Sequence, residues 1–323
     1  MKCRCQLFFL ISQFLGLWGC IASEGYGLSF SLPPKDAHVI GHLQWMQAQS
    51  GDTLSTIGER YGVGYYALVD ANPGVESAPF ATLNPGAIIV IPTRFILPPV
   101  PRKDIVINLA ELRLYLYTAT QVHTYPLGIG RQGWDTPLGA SRIIEKRENP
   151  TWYVPASIRE DSAKEGVILP IKVLPGPDNP LGKYALRLQQ PTYLIHSTND
   201  ARGVGSRSSA GCLRMFPKDA KHLFERVRVG TRLNIINKPH KVGWDAERLQ
   251  LYLEAHVPLE SATAEEDEAQ TQEAVKLIAA MNKSQQIAVS TAAIKRIILE
   301  NNGIPQPVGN FKPIEPESTQ HLL

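Results

Sequence analysis

A histidine and a downstream cysteine give the strongest chemical signal in this sequence. His196 ends the apolar run 193–195, and Cys212 follows the small-residue turn 208–211, which reads Ser-Ser-Ala-Gly. A thiol becomes a nucleophilic thiolate near neutral pH when a base lies beside it, and an imidazole is the usual base. Because unrelated cysteine enzymes share such a pair, it predicts nucleophilic catalysis without indicating which reaction.

The segments around the pair predict β-structure that would bring the two side chains together. A polar, glycine-containing loop separates His196 from Cys212, as expected if the two residues lie at the mouths of neighbouring strands. Alternating or continuous apolar runs predict a hairpin and further strands, and the 3.6-residue period predicts one helix. In chain order these are a hairpin from strands 105–108 and 112–117, strands 124–129 and 184–188, helix 217–228 and a closing strand 231–237.

The composition favours packed domains with no nucleic-acid partner. The 323 residues allow two or three domains, and a hydrophobic fraction of 43% favours folded cores over disorder. The formal net charge of +3 is close to balanced, and no strongly basic patch indicates nucleic-acid binding.

The first residues are typical of an export signal. Lys2 and Arg4 precede the apolar run 7–18, and small residues lead to Ala22. A basic start, an apolar middle and a small-residue end predict a secretory signal peptide over residues 1–22, and hence a periplasmic protein. An uncleaved anchor is the alternative, although the run is short for a membrane span.

Cysteine usage supports the same interpretation. Cleavage after Ala22 removes Cys3, Cys5 and Cys20, so that Cys212 is the one thiol of the mature chain and no disulfide within it is possible. Lipoprotein anchoring at Cys20 is less favoured, because Trp18 fits such a signal poorly. A lone cysteine in an oxidising compartment is expected to have a chemical role.

Residues 44–93 form a compact α+β segment. Its pattern predicts a strand, two short helices and a strand, and it resembles a LysM domain through Gly-Asp-Thr-Leu at 51–54, Tyr-Gly-Val at 61–63 and Asn-Pro-Gly at 72–74, with Pro-Gly and Ile-Pro following. The resemblance implies binding of N-acetylglucosamine-containing glycans, and an unrelated small α+β domain is the alternative. The candidate glycan-binding residues are Gly51, Asp52, Thr53, Asn72 and Pro73.

A proline-rich linker, residues 94–102, leads from this segment to the next domain. Prolines stiffen a linker, so the sequence predicts a tethered module that raises the local substrate concentration without touching the chemistry. Removal of residues 47–92 is therefore expected to weaken binding to insoluble glycan and to leave turnover of a soluble substrate nearly unchanged.

Residues 103–238 are similar to the L,D-transpeptidase catalytic domain, the ErfK/YbiS/YcfS/YnhG group that is also called the YkuD domain. The resemblance implies a mostly-β sandwich with a short helix. With the first module and the residues that follow, it implies a multidomain chain: an α+β LysM domain (βααβ), the mostly-β L,D-transpeptidase sandwich and an α-helical C-terminal extension. The matching segments are Arg-Leu-Tyr at 113–115, Gly-Ile-Gly at 128–130, Thr-Pro-Leu-Gly at 136–139, the loop 177–182, Ile-His-Ser-Thr-Asn at 195–199 and Gly-Cys-Leu-Arg at 211–214.

The resemblance also implies roles for single residues. Cys212 would attack a carbonyl of a peptidoglycan stem peptide, and His196 would take the thiol proton while the Ser197 carbonyl orients its ring. Backbone amides around Gly211 would hold the oxyanion, and Arg214 suits a stem carboxylate. The resemblance also places Ser209 and Asn199 at the substrate.

The sequence leaves several alternatives open. The family often carries a histidine where this chain has Ala210, so any role of a second imidazole is not carried over. Release of D-alanine leaves a thioester, whose acceptor is an amine of another stem peptide, a lipoprotein lysine, or water, which would make the protein an L,D-carboxypeptidase. A non-catalytic peptidoglycan-binding scaffold is the alternative from another class.

No cofactor or metal is predicted. Residues 128–133 formally match a dinucleotide fingerprint, but turn sequence follows where the phosphate-binding helix should begin. His38 and His42 have the spacing of zinc ligands but no third ligand nearby.

The end of the chain predicts two further segments. Residues 239–303 are expected to form a partly helical extension, with helices near 265–281 and 290–300. Residues 304–323 are rich in proline and are expected to form a mobile tail.

Overall fold

The computed structural model describes residues 27–75, 78, 81–259, 264–283 and 286–311. The signal peptide predicted for residues 1–22 lies outside the described residues, as do residues 312–323 of the predicted tail. Among the helices within the described ranges, none has the length and apolar content needed to cross a lipid bilayer.

The first described residues form an N-terminal arm that pairs with strands further along the chain. Its strands are β1 (Leu28–Ser31) and β2 (Val39–Gly41). Strand β1 pairs antiparallel with residues 121–124, and β2 pairs antiparallel with residues 94–96. The arm therefore extends the edge of the large sheet described below.

The first module has the βααβ order that its sequence predicts. Strand β3 (Gln44–Gln47) pairs antiparallel with β4 (Ile88–Ile91), and the helices α1 (Leu54–Tyr61) and α2 (Tyr65–Ala71) lie between them in the chain. Thr53 begins α1 with a capping box, because its hydroxyl accepts the Thr56 N–H at 3.1 Å and its own N–H donates to Thr56 Oγ1 at 2.9 Å. The apolar faces of both helices pack on the strands to form the core of the module.

The sheet domain follows a short linker strand, β5 (Arg94–Ile96). It contains two helices, α3 (Ala156–Lys164) and α4 (Pro217–Arg226). Its strands are β6 (Ile105–Asn108), β7 (Arg113–Tyr117), β8 (Gln121–Pro126), β9 (Ile129–Gly130), β10 (Gly139–Glu148), β11 (Trp152–Tyr153), β12 (Lys172–Val173), β13 (Tyr184–Leu188), β14 (Leu194–His196), β15 (Arg207–Ser209), β16 (Leu213–Arg214) and β17 (Arg232–Ile236).

The sheet domain is a sandwich made by one folded sheet. The nine strands run in the order β1-β8-β7-β6-β17-β10-β13-β14-β16. The long strand β10 pairs with β17 at its start and with β13 at its end, with a register shift between Ile143 and Glu145. Such an irregularity bends a strand, and apolar side chains from β6 and β7 share one core with those from β13, β14 and β16. The mostly-β sandwich that the resemblance implied is confirmed.

Helix α3 is absent from the sequence-based expectations. It lies between β11 and β12, which pair antiparallel, and it buries none of its side chains. An amphipathic period arises when one face of a helix is buried. The segment therefore carries no apolar stripe from which the helix could be predicted.

The C-terminal unit combines helices with a sheet of its own. Helices α5 (Ala264–Met281) and α6 (Thr291–Glu300) pack on the sheet β18-β19-β21-β20. Its strands are β18 (His240–Asp245), β19 (Gln250–Ala255), β20 (Ile287–Val289) and β21 (Gln306–Phe311). The two helices are close to their predicted positions, whereas the amount of β-structure exceeds the expectation.

The expectation of a mobile tail from residue 304 is wrong for residues 306–311. These residues form β21, which lies between β19 and β20, and Val308 is buried in the core. Proline cannot donate to a ladder and is found at bulges within sheets. Pro307 stands beside the register shift between β19 and β21, which explains how a proline-containing segment becomes an inner strand.

A buried ammonium joins the C-terminal unit to the rest of the chain. Lys241 Nζ lies 2.8 Å from a carboxylate oxygen of Glu111 and 2.8 Å from one of Glu254. It also donates to the Ile96 carbonyl at 2.5 Å, and the Ile96 N–H donates to Glu254 at 2.6 Å. Glu111, Glu254 and His256 place ligand-type atoms within 4.8 Å of one another, but the cation that contacts both carboxylates is the lysine itself.

We expect Lys241→Met to lower the free energy of unfolding by about 3–5 kcal/mol, because it leaves two buried carboxylates without their shared cation. Urea denaturation followed by circular dichroism measures this change. The matched control is Lys221→Met on α4, whose exposed pair with Glu225 spans 3.6 Å and should contribute less than about 1 kcal/mol. Equal effects of the two substitutions would contradict the importance of the buried cluster.

Candidate active site

Two short parallel strands place the predicted catalytic residues on one face of the sheet. In the pairing of β14 with β16, Ile195 lies opposite Leu213 and His196 lies opposite Arg214. Ile195 and Leu213 are both buried in the core. Because side chains alternate along a strand, His196, Cys212 and Arg214 share the other face.

Side chains fix the turn that presents Cys212. Gly211 adopts a φ of 95°, which favours glycine, and a Cβ at this position would lie 3.0 Å from the Tyr193 ring. Thr136 Oγ1 donates to the Gly211 carbonyl at 3.0 Å, and Ser209 Oγ donates to the Cys212 carbonyl at 2.6 Å. Both peptide planes beside the sulfur are therefore held in place.

The thiol of Cys212 is held in its neutral form. Its sulfur lies 3.6 Å from the Thr192 carbonyl oxygen, the acceptor of its hydrogen bond. Burial raises the pKa of the thiol, and the Leu194 backbone and the positive charge of Arg214 oppose this increase only in part. The thiolate is thus a minor species at neutral pH in the free protein.

His196 is buried and also neutral. Its Nδ1 lies 2.5 Å from the Ser197 carbonyl oxygen. A carbonyl oxygen only accepts, so Nδ1 carries the proton of the neutral ring and Nε2 has the free lone pair. Burial and the nearby charge of Arg214 lower the pKa of His196 to about 4, against the opposing effect of the Ser197 and Leu181 backbone groups.

The structure brings His196 and Cys212 to the same face without joining them. Within the described part of the chain, the thiol's hydrogen bond goes to Thr192 and the Nδ1 bond of His196 goes to Ser197. Catalytic hydrogen bonds are often long before substrate binds. In the free protein the two side chains are therefore neutral and do not form an ion pair.

Arg214 stands on the same face, beside the loop that connects His196 with Cys212. Its backbone forms two hydrogen bonds with Gly128, at 2.8 Å and 2.9 Å. Its guanidinium approaches Gly203, where an added Cβ would lie 3.0 Å from Nη1. Burial lowers the pKa of Arg214, and the Asp200 carboxylate opposes this decrease in part. Arg214 is thus a positioned, half-buried cation near the thiol.

A cavity of about 400 Å³ opens at Cys212. Aromatic and aliphatic side chains provide much of its wall, and Glu145, Arg147 and Arg187 add charge. Its other lining residues are Trp134, Pro150, Thr151, Trp152, Tyr153, Pro155, Ser157, Ile158, Leu181, Ala185, Thr192, Tyr193, Leu194 and Ala210. Most of these residues escaped the sequence analysis, because the segment 150–158 becomes part of the site only through folding.

Asn199 and Asn179 hold the long loop 174–182 beside the site. Asn199 is exposed, and its amide donates to the Pro177 carbonyl at 3.0 Å. Asn179 is fully buried, and its amide donates to the Pro150 carbonyl at 2.8 Å, while its oxygen accepts the Leu181 N–H at 2.9 Å. The sequence signal for Asn179 was the turn-rich loop itself, in which a buried polar side chain is needed to satisfy backbone groups.

The predicted glycan-binding residues lie at the start of α1 and at the end of α2. The side chain of Asp52 accepts the Gln49 N–H at 2.9 Å and pairs with Arg60 at 2.6 Å. Asn72 donates to the Leu68 and Val90 carbonyls and accepts the Val90 N–H at 2.7 Å. These side chains, like that of Thr53 in its capping box, hold the module's own backbone. Gly51 is exposed and Pro73 follows Asn72, and glycan binding at this group stays a prediction.

Comparison with known proteins identifies both domains. The model of the L,D-transpeptidase catalytic domain, YkuD, matches residues 102–235, and the LysM domain model matches residues 47–92. The probable L,D-transpeptidase YcfS of Escherichia coli K12 is 41% identical over 238 residues, which are 72% of this chain and 73% of that protein.

Two further relatives align over comparable or greater lengths. The probable L,D-transpeptidase ErfK/SrfK of Salmonella typhimurium is 39% identical over 243 residues, which are 74% of this chain and 77% of that protein. The probable L,D-transpeptidase YbiS of Escherichia coli K12 is 34% identical over 285 residues, which are 86% of this chain and 89% of that protein.

Because the Cys212 thiol and the His196 imidazole are both neutral, alkylation of Cys212 should have a simple pH dependence. With a raised thiol pKa, the thiolate fraction and hence the alkylation rate of Cys212 should rise about tenfold per pH unit between about pH 6 and pH 8. Single-turnover alkylation with iodoacetamide, followed by intact-protein mass spectrometry, measures it, with glutathione as the reference thiol. A rate that reaches a plateau below about pH 7 would mean that a thiolate–imidazolium pair already exists in the free protein.

Proposed function

Because this chain belongs to the L,D-transpeptidase family, we propose that it is an exported peptidoglycan L,D-transpeptidase with Cys212 as its nucleophile. The observation that supports the proposal is the β14–β16 pairing, which brings His196, Cys212 and Arg214 to one face, with Cys212 lining the cavity. A thiol, a neutral imidazole and a cation in this arrangement suit acyl transfer from a substrate that bears carboxylates.

Acylation begins with a proton transfer. The free Nε2 of His196 takes the proton of Cys212 Sγ as the sulfur attacks the carbonyl of the bond between an L-centre and D-alanine in a stem peptide. The carbonyl oxygen becomes an oxyanion, which the backbone N–H groups around Gly211 and Cys212 stabilise. The bonds that Thr136 and Ser209 make to the neighbouring carbonyls keep these N–H groups in position.

Collapse of the tetrahedral intermediate breaks the peptide bond. The imidazolium of His196 gives its proton to the leaving nitrogen, D-alanine departs, and the acyl group stays on Cys212 as a thioester. An acceptor amine then attacks the thioester while His196 takes the amine proton. The C–S bond breaks as the new amide forms, and His196 returns the proton to Cys212 Sγ, which restores the free enzyme. The amine belongs to another stem peptide or to a lipoprotein lysine, and the largely apolar wall around Cys212 favours an amine over water by limiting hydration.

Arg214 has two roles in this scheme. Its planar guanidinium binds a stem carboxylate through paired hydrogen bonds. Its charge also lowers the pKa of the Cys212 thiol against the effect of burial, and so stabilises the thiolate as the proton leaves. Substrate-side contacts of Ser209 and Asn199 belong to the same proposal, although Ser209 also holds the Cys212 turn.

The remaining parts of the proposal concern where the enzyme acts. A signal peptide over residues 1–22 exports the chain to the periplasm, with anchoring at Cys20 the less favoured route. The LysM domain holds the exported enzyme on peptidoglycan through glycan contacts near Gly51, Asp52, Thr53, Asn72 and Pro73. The reaction needs neither a cofactor nor a metal, since thiol, imidazole and backbone amides supply its chemistry.

Replacement of the nucleophile tests the proposal directly. Cys212→Ala should abolish D-alanine release and the formation of cross-linked or trimmed product from disaccharide-tetrapeptides, as measured by liquid chromatography with mass spectrometry. A carbapenem should add its mass to the wild-type protein and not to the variant. Thermal unfolding controls for folding, and continued product formation by a folded variant would refute the mechanism, whereas an inactive wild type would favour the scaffold alternative.

Replacement of the base gives a graded result. His196→Ala should slow acylation of Cys212 by roughly 100- to 10,000-fold, the range typical of a lost general base. The matched control is His123→Ala on β8, whose Nδ1 lies 2.7 Å from Ser29 Oγ in another part of the domain. If both variants acylate at the wild-type rate, another group activates the thiol.

A further inference from the structure

The loop between His196 and Cys212 is in contact with the LysM domain. Gly64, which precedes α2, packs against Gly205 of the loop, and a Cβ added to Gly64 would lie 2.8 Å from the Gly205 Cα. The Tyr66 N–H donates to the Gly205 carbonyl at 3.0 Å, and the Tyr65 N–H donates to the Val204 carbonyl at 3.4 Å. Two backbones thus meet at a distance that only a pair of glycines allows.

Glycine is required at position 64 because of the opposing loop, not because of the LysM backbone. Gly64 has φ −71° and ψ 155°, a conformation that any residue adopts. The LysM backbone alone would therefore accept a side chain here. What excludes a side chain is the backbone of the opposing loop, so that the glycine serves the junction between the two domains.

The same loop segment touches Arg214. Gly203 immediately precedes Val204 and Gly205, the two residues that contact the LysM domain. Its backbone packs on the Arg214 guanidinium so closely that an added Cβ would lie 3.0 Å from Nη1. The Gly203 carbonyl oxygen also lies close to Gly128, the backbone partner of Arg214. A Cβ added to Gly128 would lie 2.1 Å from that oxygen. A displacement of residues 203–205 would therefore displace the arginine.

We propose that the LysM domain is a positioning element of the active site: the Gly64–Gly205 contact holds the loop 203–205 and, through it, the guanidinium of Arg214. This inference rests on the proposed function of Arg214 at the stem carboxylate and at the thiol. It replaces the expectation of a module that only tethers, because a tether would need no backbone contact with the loop between base and nucleophile.

The test is Gly64→Ala in the full-length chain. The added methyl should push the LysM domain away from the loop and lower kcat/KM for a soluble disaccharide-tetrapeptide by roughly 10- to 100-fold, as small displacements of catalytic groups do. Most of the change should be in KM, because Arg214 binds the substrate carboxylate. Alkylation of Cys212 at a fixed pH should also slow, since the thiol loses part of the charge that lowers its pKa.

The matched control is Gly86→Ala in the same domain. Gly86 has a φ of 86° and nothing within 4 Å of an added Cβ, so the substitution strains the LysM backbone without touching the loop. It should leave soluble turnover and alkylation unchanged. Sedimentation with insoluble peptidoglycan reports for each variant whether the LysM domain still folds and binds.

A second variant keeps the test decisive if Gly64→Ala fails to fold. Leu68→Ala removes a fully buried side chain from the LysM core and adds no atom at the junction. Loss of both soluble turnover and alkylation rate in either variant, with Gly86→Ala unaffected, supports the positioning role. Wild-type values for Gly64→Ala, or for Leu68→Ala when sedimentation shows that its LysM domain no longer binds, would overturn it. Since alkylation needs no substrate, that result is distinct from a failure of the proposed activity.

Discussion

The candidate site depends on a parallel pairing only a few residues long. Strands β14 and β16 contribute few ladder bonds of their own, and other parts of the chain hold them in register. The Ser197 N–H donates to the Tyr184 carbonyl, and the Met215 N–H donates to the His196 carbonyl. Gly128 forms two backbone hydrogen bonds with Arg214. A slip of one residue would turn buried Ile195 and Leu213 outward. The hydrophobic core therefore fixes which side chains face the cavity.

Close backbone contacts between glycines occur at two places around the β14–β16 pairing. Gly130 approaches Gly211 closely enough that an added Cβ would lie 3.1 Å from the Gly211 Cα, and Gly64 meets Gly205 in the same manner. Each contact lets one loop support another at a distance that side chains would prevent. The loop that leads to Cys212 is thus supported both within its own domain and from the LysM domain. The buried Lys241 cluster provides a comparable junction for the C-terminal unit.

The sequence predicted the parts of the structure whose signals are local. The LysM helices, α4 and the His196 and Cys212 segments were recognisable from period, caps and motifs. Helix α3 was not, because it buries no side chain and so needs no apolar stripe. Strand β21 was not, because Pro307 is tolerated only through a register shift in the pairing of β21 with β19. The wall of the cavity and the Gly64–Gly205 junction were equally inaccessible, since they arise between segments distant in the chain.

The burial that keeps the Cys212 thiol protonated has a consequence for the lifetime of the protein. Disulfide exchange and oxidation proceed through the thiolate, and the mature chain would hold a single cysteine in a compartment that favours both. A buried sulfur that stays largely protonated at neutral pH reacts slowly by either route. The same desolvation that makes the nucleophile weak at rest thus preserves it from sulfenic acid and mixed disulfides. Resistance of the thiol to oxidation is in this way built into the geometry of the site.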